Sequence, residues 1–202
     1  MWTVPSVFPA QSAMQKIITE NETRAVYNLH NKMVEVHVTD VLEVQVGRRL
    51  QERKLKLALA ESCTGGLIGH RITDLPGSSE FFWGSIVAYA YEAKVALLGV
   101  SWDTLNLRGA VSAETVLEMA RGARRVLSTD IGVSVSGIAG PGGGTEEKPV
   151  GTTWIGLVTG DGVWAKPYRF SGDRGQNKAS AADAALQLLL DYLNGKMENQ
   201  EK

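Results

Sequence analysis

One junction near residue 60 constrains this chain more than any other feature. Leu55-Lys56-Leu57-Ala58-Leu59-Ala60 is an alternating run short enough for a strand. It stops abruptly at Glu61-Ser62-Cys63-Thr64-Gly65-Gly66, and a helical pattern begins at Leu67-Ile68-Gly69-His70-Arg71-Ile72. A period of two giving way to 3.6 across six residues predicts a strand, a small-residue elbow and a helix start.

The rest of the chain extends this alternation. Val41, Leu42, Val44, Val46 and Leu50 fall near helical spacing, residues 84–91 read as a second strand, and 92–98 as a short helix. Ser112 is expected to cap another helix, with Glu114 in its first turn and Arg124 and Arg125 in its last, matching the helix dipole. Ile131 to Ser136 reads as a third strand, and Thr152 to Val158 and Val163 to Phe170 as a hairpin turning at Gly160-Asp161-Gly162. Residues 174–193 form the last predicted helix. Strands alternating with helices and ending in a hairpin predict an α/β fold, a three-layer α/β/α sandwich with a mixed sheet. Ligands of such sheets sit at the carboxyl ends of the parallel strands. The loops 61–66 and 137–149 both follow strands at that edge and should face each other.

At 202 residues, one domain plus an extra segment is expected. The domain is placed at 38–194, after an N-terminal extension over 1–37 in which Gln15 to Lys32 admits a short helix, and before a polar tail over 195–202. Met14 and Met33 are alternative starts. Hydrophobic residues at 44% and charged residues at 21% suffice for a sizeable core. With 21 basic against 22 acidic residues and a net charge of −1, the basic excess of a nucleic-acid binder is missing. Cys63 is the one cysteine, which points to a reducing compartment. His30, His37 and His70 stand in no zinc-binding spacing. No apolar run reaches the roughly 18 residues of a membrane helix, and the N-terminus lacks the marks of a signal peptide. A cytoplasmic protein without metal, cofactor, nucleic-acid or membrane partner is expected.

Ser62 lies on the elbow, where a hydroxyl is exposed and the amides that follow, of Cys63, Thr64 and Gly65, can face an oxyanion, carboxylate or phosphate. The competing reading is that Ser62 or Thr64 only caps the helix. Cys63 is a rival nucleophile, or else buried packing. A serine nucleophile needs a base, and His70, about two helical turns on, is roughly 12 Å away by helix rise. A lysine can serve if burial lowers its pKa from about 10.4. Lys94, in Tyr89-Ala90-Tyr91-Glu92-Ala93-Lys94 beside Val95, Leu97 and Leu98, is placed for that, or for a solvated helix face. The 137–149 loop holds five glycines in thirteen residues, which lets amides approach an anion, yet it lacks a Walker ending and opens no helix. It reads equally as a surface loop. Arg174, in Ser171-Gly172-Asp173-Arg174, is suited to a bidentate phosphate contact, or to an exposed ion pair beside an Asp173 cap.

Taken together these segments resemble the CinA C-terminal domain family, the nicotinamide-mononucleotide amidohydrolases, over about residues 38–193. The resemblance rests on Ala60-Glu-Ser-Cys-Thr-Gly-Gly66, Gly77-Ser-Ser79, Tyr89 through Lys94, Gly109-Ala-Val-Ser112, Ser136-Gly-Ile-Ala-Gly-Pro-Gly-Gly-Gly144, Glu147-Lys-Pro-Val-Gly151 and Ser171-Gly-Asp-Arg174. It implies a Ser62/Lys94 dyad supported by Tyr89 and Ser79. It further implies a pyridine nucleotide held by Thr64, Gly65, Gly66, Gly140, Pro141, Gly142, Gly143 and Arg174. A mainly parallel sheet and assembly as a homodimer follow from the same resemblance. The N-terminal nucleotide-processing domain of longer relatives is expected to be absent, and the chain departs from the family in Ala90-Tyr91 where Ser-Asn is common and in Lys178 where a second arginine is frequent. Those departures motivate an alternative, a nucleotide-binding regulatory module without the chemistry. A third reading, a partner of DNA-uptake or recombination proteins, draws on the family's association with competence and finds no support in the charge balance.

Overall fold

The structure is a computed structural model that describes residues 24–29, 32–37 and 41–197. Strands β1 (Arg24–Leu29) and β2 (Lys32–His37) pair antiparallel as a hairpin, with Arg24 opposite His37 and Leu29 opposite Lys32. Residues 24–29 are therefore strand, and the short helix admitted across Gln15 to Lys32 does not form there. The remainder of that stretch lies outside the described residues.

From Leu42 the order is α1 (Leu42–Arg53), β3 (Leu57–Glu61), α2 (Leu67–Thr73), a 3₁₀ turn (Ser78–Glu80), β4 (Phe82–Val87), α3 (Tyr91–Leu98), α4 (Trp102–Arg108), α5 (Ala113–Val126), β5 (Ile131–Gly137), β6 (Thr152–Val158), β7 (Val163–Arg169) and α6 (Arg174–Leu193). The five-stranded sheet runs β4-β3-β5-β6-β7. β3 pairs parallel with both β4 and β5, β5 pairs antiparallel with β6, and β6 antiparallel with β7. Four strands thus point one way and β6 runs against them, so the sheet is mixed and mainly parallel, as the resemblance implies. The α4 helix went unread in the sequence; Ser101 caps it by accepting the Asp103 amide.

The two faces of the sheet are packed differently. β3 is buried throughout, with large and small residues alternating in place of apolar and polar ones. Leu57 and Leu59 join Ile131, Val133, Val135, Ile155 and Leu157 in a core closed by α1, α2 and α6. Each such fully buried side chain is worth about 1.5–3 kcal/mol. Ala58 and Ala60 point the other way, toward Leu98, Leu105, Met119 and Ala123 of α3, α4 and α5. That face is lined with small residues because α5 lies almost on the sheet. A Cβ on Gly132 would stand 2.2 Å from the Ala120 carbonyl oxygen. The Ser134 hydroxyl donates to Val116 O at 2.5 Å. Ser112 caps α5 through the Thr115 amide, and Asp173 caps α6 in a reciprocal pair with Gln176.

Candidate active site

The four strands that run together end at one edge, and each delivers a group there. Ser62 follows β3, Ala88 and Tyr89 follow β4, Gly140 follows β5, and Arg174 opens the helix after β7. The expectation that the 61–66 and 137–149 loops share an edge is met.

Lys94 crosses from α3 into this edge and is 1% exposed. Its Nζ donates to Ser62 Oγ at 3.0 Å, to Ala88 O at 2.8 Å and to Tyr89 O at 3.1 Å. Burial lowers its pKa from 10.5 to about 8, because the charged ammonium loses hydration that two carbonyls replace only in part. Ser62, 7% exposed, is held by its own amide, which donates to Val135 O on β5. The hydroxyl and the amine, 32 residues apart in the chain, therefore meet on one side of the sheet.

Cys63, beside the serine, is also buried, and burial pushes its thiol up to about 11. Near neutral pH the nucleophilic thiolate is scarce, so the rival nucleophile is disfavoured by its own environment.

The elbow is organised by a residue the sequence reading did not single out. Glu61 is wholly buried, and its Oε2 accepts from Thr64 Oγ1 at 2.7 Å, Gly66 N at 2.9 Å and Ile68 N at 3.1 Å. Its Oε1 accepts from Gly69 N at 2.9 Å and Ser85 Oγ at 2.8 Å. The amides of Gly66, Ile68 and Gly69 at the start of α2 are thus turned inward to Glu61. The Gly65 amide is also occupied, donating to Ser62 O at 3.1 Å. The elbow amides of Cys63 and Thr64 donate to no carbonyl or carboxylate among the described residues and lie near the Cys63 sulfur. An acidic residue closing a buried strand just before a helix start is the signal that could have revealed Glu61.

Gly65 and Gly66 have φ of +64° and +96°, which only glycine adopts without strain. Their role is the shape of the turn, and their amides are spent inside it. Thr64 is likewise 1% exposed with its side chain committed to Glu61.

Arg174 bridges two of the expected residues. Its Nη1 donates to Gly140 O at 2.7 Å and its Nη2 to the Tyr89 hydroxyl at 3.0 Å. It is exposed and, among the described residues, is not ion-paired with a carboxylate, so guanidinium N–H groups remain toward solvent. Asn177, one turn further along α6, is buried and donates to Ala139 O and Gly172 O while accepting the Gly172 amide. It joins the β5–β6 loop to the start of α6. Beyond buried Gly140, residues 141–147 are exposed, placing Pro141, Gly142 and Gly143 on a flap at the rim. Lys148 pins the far end of that flap through Arg108 O at 2.7 Å. Lys178 also faces the site, its Nζ 3.8 Å from where a Gly65 Cβ would stand.

Ser79 is not part of this constellation. It sits in the 3₁₀ turn that enters β4, next to Glu80, whose carbonyl accepts from Lys56 Nζ. Leu57 pairs with Phe82 and Glu61 with Val87, so Ser79 and Ser62 lie at opposite ends of two parallel strands. Five steps of strand separate them by roughly 16 Å. A residue before a strand cannot share an edge with one after its parallel neighbour. Ala90 and Tyr91 lie beside the site, with Ala90 O accepting the Lys94 backbone amide at 3.2 Å and Tyr91 Oη accepting the Ala110 amide at 3.2 Å, and neither is among the partners of Lys94 Nζ. Among the described residues no group of three or more His, Cys, Asp or Glu side chains could hold a metal ion.

Comparison with known proteins follows the same segments. The family model of the CinA C-terminal domain matches residues 39–193. A CinA-like protein of Desulfosudis oleivorans is 53% identical over 149 residues, 73% of this chain and 36% of its own length. A CinA-like protein of Thermotoga maritima is 46% identical over 155 residues, 77% of this chain and 38% of its own. The chain therefore spans little more than a third of these curated relatives. Among solved structures, the competence damage-inducible protein A (ComA) from Klebsiella pneumoniae superposes with a TM-score of 0.74 at 34% identity, covering 77% of this chain and 97% of that one. The competence/damage inducible protein CihA from Agrobacterium tumefaciens gives 0.71 at 37% identity, covering 76% and 95%.

Proposed function

The chain belongs to the CinA C-terminal domain family, and from that premise we propose that it is a serine amidohydrolase that converts nicotinamide mononucleotide to nicotinic acid mononucleotide and ammonia. The observation that carries the reading is the buried 3.0 Å contact between Lys94 Nζ and Ser62 Oγ. A neutral amine has two N–H groups and one lone pair. With the N–H groups given to Ala88 O and Tyr89 O, the lone pair is left on the side of Ser62 Oγ. The two carbonyls orient the base as well as holding it.

In the proposed reaction, Lys94 takes the Ser62 proton as Oγ bonds to the carboxamide carbon of the substrate. The carbonyl electron pair moves onto oxygen, where the Cys63 and Thr64 amides stabilise it. The tetrahedral species collapses, its C–N bond breaks, and protonated Lys94 gives its proton to the departing ammonia. Water, deprotonated by the same amine, cleaves the acyl ester and releases the carboxylate and Ser62. Removal of the base or an oxyanion donor is expected to cost on the order of 10²–10⁴ in rate. The free N–H groups of Arg174, the Lys178 ammonium and the 140–144 flap would take the substrate phosphate. No metal or organic cofactor enters the scheme.

A cytoplasmic location and a homodimer belong to the same proposal. The lone cysteine supports the first. No helix among the described residues is long and apolar enough to cross a membrane. The second is supported by β4, an edge strand that exposes Trp83 and Val87 next to exposed Tyr89 and Tyr91. The test is ammonia release from nicotinamide mononucleotide by wild type, Ser62→Ala, Lys94→Ala and Cys63→Ala. Activity is expected in wild type and Cys63→Ala and to be lost in the other two. Saturable nucleotide binding by wild type without ammonia release would replace the enzyme with a binding module.

A further inference from the structure

A second charged feature lies at the far end of α5. Arg121, Arg124 and Arg125 line one cavity of about 250 Å³ together with Ser128, Thr129 and Val158. No carboxylate is among its lining residues. The acidic neighbours in the chain are engaged elsewhere: Glu118 accepts from the Ser101 amide and the Thr104 hydroxyl, and Asp130 from the Lys56 amide. The ion pairs of the described residues include none of the three arginines. In a chain with a net charge of −1, three guanidinium groups on one cavity are a local concentration and not a general surplus.

Two of these arginines are held in place before any ligand arrives. Arg124 donates Nε to Thr129 O at 3.2 Å and Nη1 to Thr159 O at 3.3 Å, and Arg125 donates Nη2 to Leu98 O at 3.2 Å. These carbonyls fix the planar groups and leave their other N–H bonds unspent. Arg121 has no such contact among the described residues. Pre-ordered guanidiniums lose less rotamer freedom on binding an oxyanion than flexible lysines would. The carbonyl bonds alone would serve to tie the end of α5 to Thr129, to Thr159 and to the last residue of α3. That role uses Arg124 and Arg125 and does not account for Arg121.

We propose that this cavity is a binding site for a phosphate-class oxyanion, separate from the Ser62 site. α5 spans 14 residues, about 21 Å by helix rise, between the loop at Gly109 that neighbours the active edge and this cavity. The site does not depend on the proposed hydrolysis.

The test titrates pyrophosphate into the full chain carrying Arg174→Ala, which removes the arginine of the active edge. The side-chain Nε–H resonances of Arg121, Arg124 and Arg125 are followed at low salt. Saturable shifts of those three resonances are expected, weakened tenfold or more by Arg121→Ala, largely retained in Arg121→Lys, and weakened at 0.5 M salt. Parallel titrations with inorganic phosphate and ADP separate a free oxyanion from a nucleotide-borne one. Absence of saturable shifts with all three probes, or affinity unchanged in Arg121→Ala, overturns the proposal. Because Arg121 is exposed and its side chain makes no hydrogen bond or ion pair among the described residues, its replacement tests the site without testing the fold.

Discussion

Glu61 Oε1 accepts the Gly69 amide at 2.9 Å and so ties the last residue of β3 to the first turn of α2, eight residues on. With four further donors on the same carboxylate, the elbow bearing Ser62 is built around a buried acid. Glu61→Gln keeps the shape but turns an NH₂ group toward amides and hydroxyls that need an acceptor. Leaving such donors unsatisfied costs about 1–3 kcal/mol each. A loss of at least about 2 kcal/mol is expected, read as a fall in Tm of roughly 4–8 °C. The rate of ammonia release should fall with it even at temperatures where the variant is folded.

Lys94 must be neutral to accept the serine proton. With its pKa lowered to about 8, kcat/KM is expected to rise with pH through the neutral range and to level off above about 8. A pH–rate profile that is flat from 6 to 9 would remove Lys94 as the base.

The same shift links pH to stability. Between about pH 8 and 10.5 the unfolded chain holds a proton on this lysine that the folded chain has released. Stability therefore gains with rising pH across that window relative to a Lys94→Met variant, by up to about 3 kcal/mol in total. Urea unfolding of both proteins at pH 7.5 and 10.5 measures the difference in slope.

Arg174 links Gly140 O to the Tyr89 hydroxyl and carries the N–H groups proposed for the substrate phosphate. Arg174→Ala is expected to raise KM tenfold or more while changing kcat much less. Tyr89→Phe, which removes one of the two anchors, should produce a smaller shift in the same direction. Steady-state kinetics on nicotinamide mononucleotide distinguish this from a loss in kcat alone, which would place Arg174 at the reacting centre.

Gly132 tests the close face of the sheet. Its missing Cβ would stand 2.2 Å from Ala120 O, against a backbone that cannot move without shifting α5. Gly132→Ala is expected to destabilise by about 1–3 kcal/mol or more, measured by denaturant unfolding. The site chemistry lies at the opposite edge, so activity of the folded fraction should persist.

Much of the layout could be read before any coordinates, because it rests on local periodicity. The strand–elbow–helix at Ser62, the Ser112 and Asp173 caps, the 152–169 hairpin and the 174–193 helix appear where residue patterning places them. Boundaries differ where the pattern is ambiguous. The second strand, expected over 84–91, runs Phe82–Val87, because Tyr89 and Tyr91 look strand-like but follow its end. β3 carries no polar face, so its two burial environments appear only once α5 and α6 are packed against it.

The residues themselves determined that a serine would stand on a tight glycine-rich turn, since a short alternating run ends there in small residues and Gly65 and Gly66 accept the positive φ that the turn uses. Which groups meet that serine was decided by the parallel order of β3, β4 and β5. That order brings Lys94 within hydrogen-bonding distance from 32 positions away and carries Ser79, only 17 positions away, to the far end of the sheet. Likewise the inward turn of the α2 amides depends on a carboxylate buried beneath them. Separation in space and loss of hydration are properties of the packed chain, and neither is encoded in the spacing of one segment.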